Sequence, residues 1–201
     1  MRTDIAAPEI ALLDAPAHDV RSAFIDGFHI RPLHAQRDAR TLHRWFIEER
    51  AAFWNMRDWN VYQVAAFYQN IVDSPHADAW LASQHGEPAF LIETYDPAHE
   101  EVGEHYEPLP GDLGMHLFVG PSTQPISGYT QRVFRTLMRF LFDRLYAQRI
   151  VVEPDARNAR IHALNRAMGF VYWKDVPFRE KTASLAFCTR ADFFRSIQQD
   201  N

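Results

Sequence analysis

Hydrophobic positions recur along this chain with two periods, and each period predicts one kind of element. Apolar residues spaced three and four apart predict helices, whereas short alternating or continuous apolar stretches predict strands. The helical period covers residues 37–50, 61–71, 131–144 and 156–168. The strand patterns cover residues 24–33, 79–83, 89–95, 114–121, 150–152, 170–175 and 183–188. Strands and helices in this order predict a mixed α/β fold of the α+β class around one mixed sheet.

Residues 111–170 form the stretch around which we expect the fold to be organised. An apolar strand at 114–121 is followed by a polar turn at 122–130, a long amphipathic helix and a second short strand. A helix that begins after such a turn presents unpaired N–H groups and the positive end of its dipole. The pattern therefore predicts an anion site, for example for a pyrophosphate.

The composition favours one domain that acts on a small molecule. A chain of 201 residues with 47% hydrophobic content can bury one substantial core. We therefore expect a single domain over residues 23–201, preceded by an N-terminal arm or edge strand at 1–22. The net charge of -5 argues against a nucleic-acid partner.

The remaining composition excludes several other classes of protein. The single cysteine, Cys188, excludes an internal disulfide framework, and no run of 18 apolar residues predicts a membrane span. No secretory signal is recognisable, so a cytoplasmic protein without membrane contact is expected. The 10 histidines fall in no recognisable zinc spacing, so no metal site is predicted.

Several short motifs occur in an order that resembles a known family. They are residues 53–56 (FWNM), 86–93 (GEPAFLIE), 111–117 (GDLGMHL), 151–158 (VVEPDARN) and the helix from Asn158 to Gly169-Phe170. Together they resemble the GNAT superfamily of acyl-CoA-dependent N-acyltransferases. The closer similarity is to the branch that acylates N-hydroxylated amines in hydroxamate siderophore biosynthesis, of the aerobactin, alcaligin, desferrioxamine and mycobactin type. The resemblance implies a mostly antiparallel mixed sheet with flanking helices and a splayed parallel strand pair at the acyl-CoA site.

The resemblance also implies acyl-CoA, either acetyl-CoA or succinyl-CoA, as co-substrate without a metal. The residues expected to contact it are Leu117, Phe118, Val119, Ser127, Gly128, Tyr129, Thr130, Asn158 and Asn165. The turn at 124–130 keeps only one glycine where the family has more, although the N–H groups of the helix terminus remain available. Asn165 occupies the place of a tyrosine that protonates the CoA thiolate in many GNAT enzymes, and an amide cannot release a proton at neutral pH.

By resemblance, His116 and Asp155 form the catalytic pair. Period two places His116 and Phe118 on one face of the central strand, and Asp155 follows the next strand, so the two side chains could meet. His116 would then be a general base oriented by a carboxylate, and the N–H of Leu117 or Phe118 would receive the oxyanion. The alternative is that His116 is a structural histidine and Asp155 a helix N-cap.

The acceptor implied by the resemblance is an N-hydroxydiamine or N6-hydroxylysine. Trp54 and Met56 would line its methylene chain, and Glu93 and Glu153 would receive its cationic end. Each of these residues has an alternative: the aromatic segment could be core, and the two acids could lie on solvated surfaces.

Two other functions remain open at this point. One is a GNAT acetyltransferase that acts on another amine, such as a ribosomal protein or an antibiotic. The other is a module that binds acyl-CoA without turnover.

Overall fold

The computed structural model describes residues 21–121 and 126–199. The strands are β1 (Ala23–Ile25), β2 (Phe28–Pro32), β3 (Ala77–Gln84), β4 (Glu87–Tyr95), β5 (Asp112–Val119), β6 (Arg149–Val152), β7 (Val171–Pro177) and β8 (Thr182–Thr189). The α-helices are α1 (Ala35–Phe46), α2 (Val61–Val72), α3 (Tyr129–Asp143), α4 (Ala159–Ala167) and α5 (Arg190–Gln199). Short 3-10 turns lie at Glu49–Trp54, Pro97–His99 and Glu101–Glu104.

The strands form one eight-stranded sheet in the order β1-β2-β3-β4-β5-β6-β8-β7. Neighbouring strands are antiparallel except β5 and β6, which are parallel. Their shared ladder covers only Asp112–Gly114 of β5, although β5 continues to Val119. The two strands therefore diverge after Gly114. This confirms the predicted mixed sheet with a splayed parallel pair.

Helices cover both faces of the sheet and bury its apolar side chains. On one face α1 and α2 pack with the sheet around Leu42, Phe46, Tyr68 and Phe118. On the other face α3 and α5 pack around another cluster, which includes Met115, Phe134, Leu137, Phe140 and Phe193. Met115 and Phe118 thus point to opposite sides of β5, as the period of two predicts. Among the described residues no helix is long and apolar enough to cross a membrane.

Two local predictions were wrong in detail. The single strand expected at 24–33 is a hairpin, because Asp26 and Gly27 both adopt positive φ and form a two-residue turn. The terminal helix α5 was not predicted; it follows β8 directly and buries Phe193 and Ile197 at i and i+4. The predicted arm at 1–22 lies outside the described residues except for its last two positions.

Candidate active site

A histidine held between two carboxylates lies on the central strand. The β4–β5 register pairs Glu93 with His116, so their side chains point to the same face of the sheet. His116 Nδ1 lies 3.0 Å from Glu93 Oε2, and its Nε2 lies 2.8 Å from Glu153 Oε1. Glu153 directly follows β6, so the parallel β5–β6 pair delivers it to the imidazole. Both ring nitrogens are therefore engaged by carboxylates.

Two buried tyrosines complete the arrangement, which we call the His116 cluster (His116, Glu93, Glu153, Tyr68 and Tyr95). The Tyr68 hydroxyl donates to Glu93 Oε1 at 2.6 Å, and the Tyr95 hydroxyl donates to Glu153 Oε2 at 2.7 Å. Burial and the adjacent carboxylates raise the pKa of both phenols well above its usual value, so both remain donors. Sequence reasoning missed the tyrosines, although Tyr95 lies two residues after Glu93 on the same face of β4.

The electrostatics of the cluster favour a protonated imidazole. Desolvation alone would lower the pKa of His116, but the charges and hydrogen bonds of Glu153 and Glu93 raise it to about 10. Desolvation likewise opposes ionisation of Glu153, yet His116 holds the pKa of this carboxyl below its usual value. His116 is thus an imidazolium at neutral pH and has no free nitrogen to accept a proton. The role of free general base expected for it does not fit this geometry.

The imidazole nonetheless remains open to a ligand. The His116 side chain is 44% exposed, whereas the side chains of Glu93 and Glu153 are only 10% and 6% exposed. Trp54 presents its ring at 6.3 Å from the imidazole, and Tyr95 lies at 5.2 Å on another side. An accessible cation between aromatic rings, with a buried carboxylate on each nitrogen, is the most unusual chemical feature of the described chain.

Asp155 does not join His116 as the sequence predicted. Its carboxylate accepts hydrogen bonds from the backbone and guanidinium N–H groups of Arg157 at 2.7–2.9 Å. These bonds with Arg157 lower the pKa of Asp155. The nearby Arg157, two residues along the chain, takes the carboxylate, and Glu153 takes the place expected for Asp155 beside the imidazole.

The divergence of β5 from β6 exposes backbone groups of the central strand. Gly120 donates its N–H to Ala89 on β4 at 2.7 Å. Because N–H groups alternate in direction along an antiparallel strand, Phe118 also faces β4, while Leu117 and Val119 face the gap left by β6. Arg50 enters this region and donates to the Val119 carbonyl at 2.5 Å. Of the two N–H groups predicted as oxyanion donors, that of Leu117 faces the gap and that of Phe118 faces β4.

The start of α3 lies beside a row of arginines. Gly128 occupies the N-cap position with a φ of 76°, which glycine adopts readily, and Ser127 is exposed just before it. Tyr129 and Thr130 begin the first turn; the Tyr129 N–H donates to the Ile126 carbonyl at 3.1 Å, whereas the N–H groups that follow it in the first turn have no partner within the helix. A cleft of about 390 Å³ adjoins this end and is lined by Asp26, Gly128, Gln131, Arg132, Arg135 and Arg139. The sequence analysis did not identify the arginines, which share one face of α3 at intervals of three and four.

The two asparagines of α4 are both engaged in hydrogen bonds. The Asn158 side chain caps the helix by accepting from the N–H of Ile161 at 3.2 Å. Asn165 is buried and donates its side-chain N–H to the Tyr172 hydroxyl at 2.9 Å. Tyr172 keeps its own proton, and burial raises its pKa. A tyrosine hydroxyl from β7 therefore lies beside Asn165, the position at which many GNAT enzymes have a tyrosine.

The two predicted wall residues occupy different environments. Trp54 stacks on Phe46 with ring centroids 5.4 Å apart and reaches His116. Met56 is 5% exposed and belongs to the core cluster of α1 and α2. Trp54 can therefore contact a ligand, whereas Met56 is a core residue that does not reach the surface of the site.

Two curated proteins are similar to this chain in sequence. N(6)-hydroxylysine O-acetyltransferase of Escherichia coli is 26% identical over 161 residues, which are 80% of this chain and 51% of that protein. N-hydroxyputrescine acetyltransferase of Acinetobacter baumannii is 21% identical over 133 residues, which are 66% of this chain and 64% of that protein. The chain thus spans between half and two thirds of the length of these curated relatives.

Solved structures and a family model agree on the fold. A crystal structure of the aminoglycoside acetyltransferase AAC(6')-Ib with coenzyme A and kanamycin superimposes with a TM-score of 0.71 at 20% identity, covering 84% of this chain and 98% of that one. The model of the family described as acetyltransferase (GNAT) domain matches residues 34–178. The chain belongs to the GNAT acetyltransferase family.

Proposed function

We propose that this protein transfers an acyl group from acyl-CoA to the nitrogen of an N-hydroxylated amine, with the His116 cluster as the acceptor site. The observation that carries the proposal is the exposed imidazolium between two buried carboxylates, located on the strand that diverges from β6. The two relatives described as acting on N-hydroxylated substrates support this class of acceptor.

Acyl-CoA would bind along the gap between β5 and β6. The N–H groups at the start of α3, next to Gly128, would receive the pyrophosphate, because a helix N-terminus favours anions. Arg132, Arg135 and Arg139 add positive charge beside it, and the Arg139 guanidinium is paired with Asp26 at 3.2 Å. The pantetheine amides would pair with the backbone of Leu117 and Val119. The acyl donor in this proposal is acetyl-CoA or succinyl-CoA.

The reaction would be a direct transfer without an acyl-enzyme. The acceptor nitrogen attacks the thioester carbonyl carbon, and the N–H of Leu117 donates to the oxyanion that forms. The nitrogen then releases its proton to solvent, the C–S bond breaks, and CoA leaves as a thiolate that takes up one proton from solvent, so that the proton lost by nitrogen is balanced by the one gained by sulfur. The only cysteine, Cys188, is buried, and burial raises the pKa of its thiol to about 12, so it is unsuited to be a nucleophile.

The charge of the cluster suits this acceptor. With both carboxylates ionised, the imidazolium and its two partners carry a net charge of -1. Such a group stabilises the positive charge that develops on the attacking nitrogen. A hydroxylamine nitrogen is already neutral at physiological pH, unlike an alkylamine with a pKa of about 10.4. The site therefore needs no free general base, which agrees with the engaged nitrogens of His116.

Product analysis tests this function directly. The protein is incubated with acetyl-CoA and, separately, with N-hydroxycadaverine, N-hydroxyputrescine or N6-hydroxylysine, and with each parent amine as the control. Products are identified by mass spectrometry and by the colour of the ferric hydroxamate, which an O-acyl product does not give. We expect CoA release together with a hydroxamate from at least one hydroxylated acceptor. O-acylation, acylation of the parent amines at the same rate, or tight CoA binding without release would each contradict the proposal.

A further inference from the structure

A cluster of two histidines and one aspartate lies at the base of the β3–β4 hairpin, outside the proposed acyltransfer site. His76 precedes β3, Asp96 follows β4, and His99 ends the 3-10 turn Pro97–His99. One ligand atom from each of the three residues lies within 4.8 Å of the others. The three side chains are accessible, and those of Asp96 and His99 are each 47% exposed. We propose that His76, Asp96 and His99 bind a divalent transition-metal ion of the zinc type.

The three ligand groups are close enough to share one ion after a change of side-chain rotamer. The imidazoles of His76 and His99 are stacked with centroids 3.4 Å apart and an angle of 9° between the planes. Two imidazole nitrogens bound at about 2.0–2.1 Å to one tetrahedral zinc ion lie about 3.3 Å from each other. His99 Nδ1 lies 3.1 Å from Asp96 Oδ2, a similar separation. The lone pairs of two stacked rings run parallel, so at least one imidazole must rotate about its side-chain bonds for both to bind one ion.

The backbone around the cluster is fixed before any ion binds. The Asp96 N–H donates to the His76 carbonyl at 2.8 Å, which continues the pairing of β3 with β4. The other Asp96 carboxylate oxygen, Oδ1, accepts from the N–H of Ala98 at 3.0 Å and starts the turn that carries His99. The three ligands are therefore held by a strand pair and a capped turn, so binding orders only their side chains.

The donor set selects the class of ion. Two imidazoles and one carboxylate suit zinc and neighbouring transition metals, whereas calcium and magnesium prefer oxygen ligands alone. A fourth position is left for water, because the cluster is open to solvent. The sequence analysis predicted no metal site because the ligands do not follow a recognisable spacing: 19 residues separate His76 from Asp96.

An ion at this position would tie the hairpin base to the loop that follows it. That loop contains Val102, which is buried against Tyr95 in a small apolar cluster. Tyr95 in turn donates to Glu153 of the His116 cluster. The ion would therefore hold a loop that packs against the proposed acceptor site. Metal binding is measured independently of acyl transfer, so this inference stands or falls separately from the proposed function.

Calorimetric titration of the untagged, chelator-treated protein with zinc chloride tests the site. We expect one ion per chain, and affinity lowered at least about tenfold in His76→Ala, His99→Ala and Asp96→Asn. Asparagine keeps the oxygen that caps Ala98, so the turn is preserved in the last variant. His85→Asn is the matched control, because His85 is an exposed histidine at the opposite end of the same hairpin, and Asn tolerates its φ of 52°. Absence of saturable binding, or unchanged affinity in the three variants, would overturn the site.

Hydrogen exchange tests the structural role of the ion. The N–H groups of Glu100, Gly103 and His105 are hydrogen-bonded within the loop. Zinc should slow their exchange in the wild-type protein and leave it unchanged in Asp96→Asn. Exchange that is equally fast with and without bound zinc would contradict the role of the ion in holding the loop.

Discussion

The imidazole of His116 is held as a cation between two carboxylates, and this limits the chemistry open to it. A ring with both N–H groups donated to Glu93 and Glu153 cannot accept a proton from a substrate. It can contribute its charge, and it can fix the position of the two carboxylates around it. The acceptor in our proposal does not need a general base before it attacks, because its nitrogen is already neutral.

Replacement of His116 by glutamine tests this role. The change keeps a similar size but removes the positive charge and leaves the buried carboxylates without their shared partner. We expect kcat for acyl transfer to fall on the order of 100-fold, as for the loss of other electrostatic groups in active sites. The KM for acetyl-CoA should change less than about twofold, because CoA is proposed to bind at β5, β6 and α3.

Both constants are obtained for the wild type and for His116→Gln by measuring the release of the CoA thiol at saturating acceptor. His162→Gln is the control on α4, since His162 contacts the Asp155 carbonyl and Tyr172 but no member of the His116 cluster. A His116→Gln enzyme with full kcat, or one in which acetyl-CoA no longer binds, would refute the assignment.

The raised pKa of His116 also predicts how stability depends on pH. The folded protein retains a proton up to about pH 10 that the unfolded chain releases near pH 6.5. The contribution of this group is therefore complete below about pH 6.5 and is lost as the pH rises to about 10. We expect the difference in free energy of unfolding between wild type and His116→Gln to decrease over that range.

Urea denaturation of both proteins at pH 6.5, 8 and 10 measures this difference. The contribution of Glu153 to stability depends on pH in the opposite direction. Its pKa is lowered in the folded protein, so its contribution is present at neutral pH and is lost on acidification. A difference that stays constant from pH 6.5 to 10 would show that the imidazole is not held as a cation in the folded state.

Among the elements, β5 changes its partner along its length: residues 112–114 pair with β6, and residues 114–119 pair with β4. Gly114 lies at this transition, opposite Tyr95 on β4. A Cβ atom at Gly114 would overlap the Tyr95 ring. The absence of a side chain at 114 therefore allows Tyr95 to cross β5 and reach Glu153.

The variant Gly114→Ala should displace Tyr95 and destabilise the protein. We expect a loss of about 1–3 kcal/mol in the free energy of unfolding, the usual cost of overpacking a tight site. Denaturant titration measures it. The double variant with Tyr95→Ala should lose less than the sum of the two single variants, since the clash disappears with the ring. Additive losses would mean that Gly114 is required for another reason.

The local hydrophobic pattern predicted most of the helices and strands. The side-chain contacts between them could not be predicted, because they depend on the register in which the strands pair. The periods of α2 and α3 were readable because each helix buries one apolar face, and β5 was readable as a short apolar run whose two faces are both covered. The pairing of Glu93 with His116 depends on which residues of β4 and β5 lie opposite, which the sequence of neither strand specifies. Asp155 was assigned to His116 by resemblance, but Arg157 is two residues away and forms the local ion pair. Tyr68 reaches Glu93 from a helix 25 residues earlier in the chain.

In our proposal, the protein as a whole brings two substrate regions to the two sides of one strand. The gap beside β6 and the arginine row of α3 offer a place for the anionic co-substrate. The His116 cluster, with Trp54 at its border, offers a place for a small polar acceptor. Membership of the GNAT family supports our proposal for the first region, and the chemistry of the cluster supports it for the second.

The ratio of kcat/KM for N-hydroxycadaverine to that for cadaverine, with acetyl-CoA at pH 7.5, tests the central claim most directly. At this pH only about one alkylamine in a thousand is neutral, given a pKa of about 10.4, whereas the hydroxylamine nitrogen is almost fully neutral. A site without a free general base should therefore favour the hydroxylated acceptor by at least about 100-fold. A ratio near one would contradict the account, because it would require an efficient base that the His116 cluster does not provide.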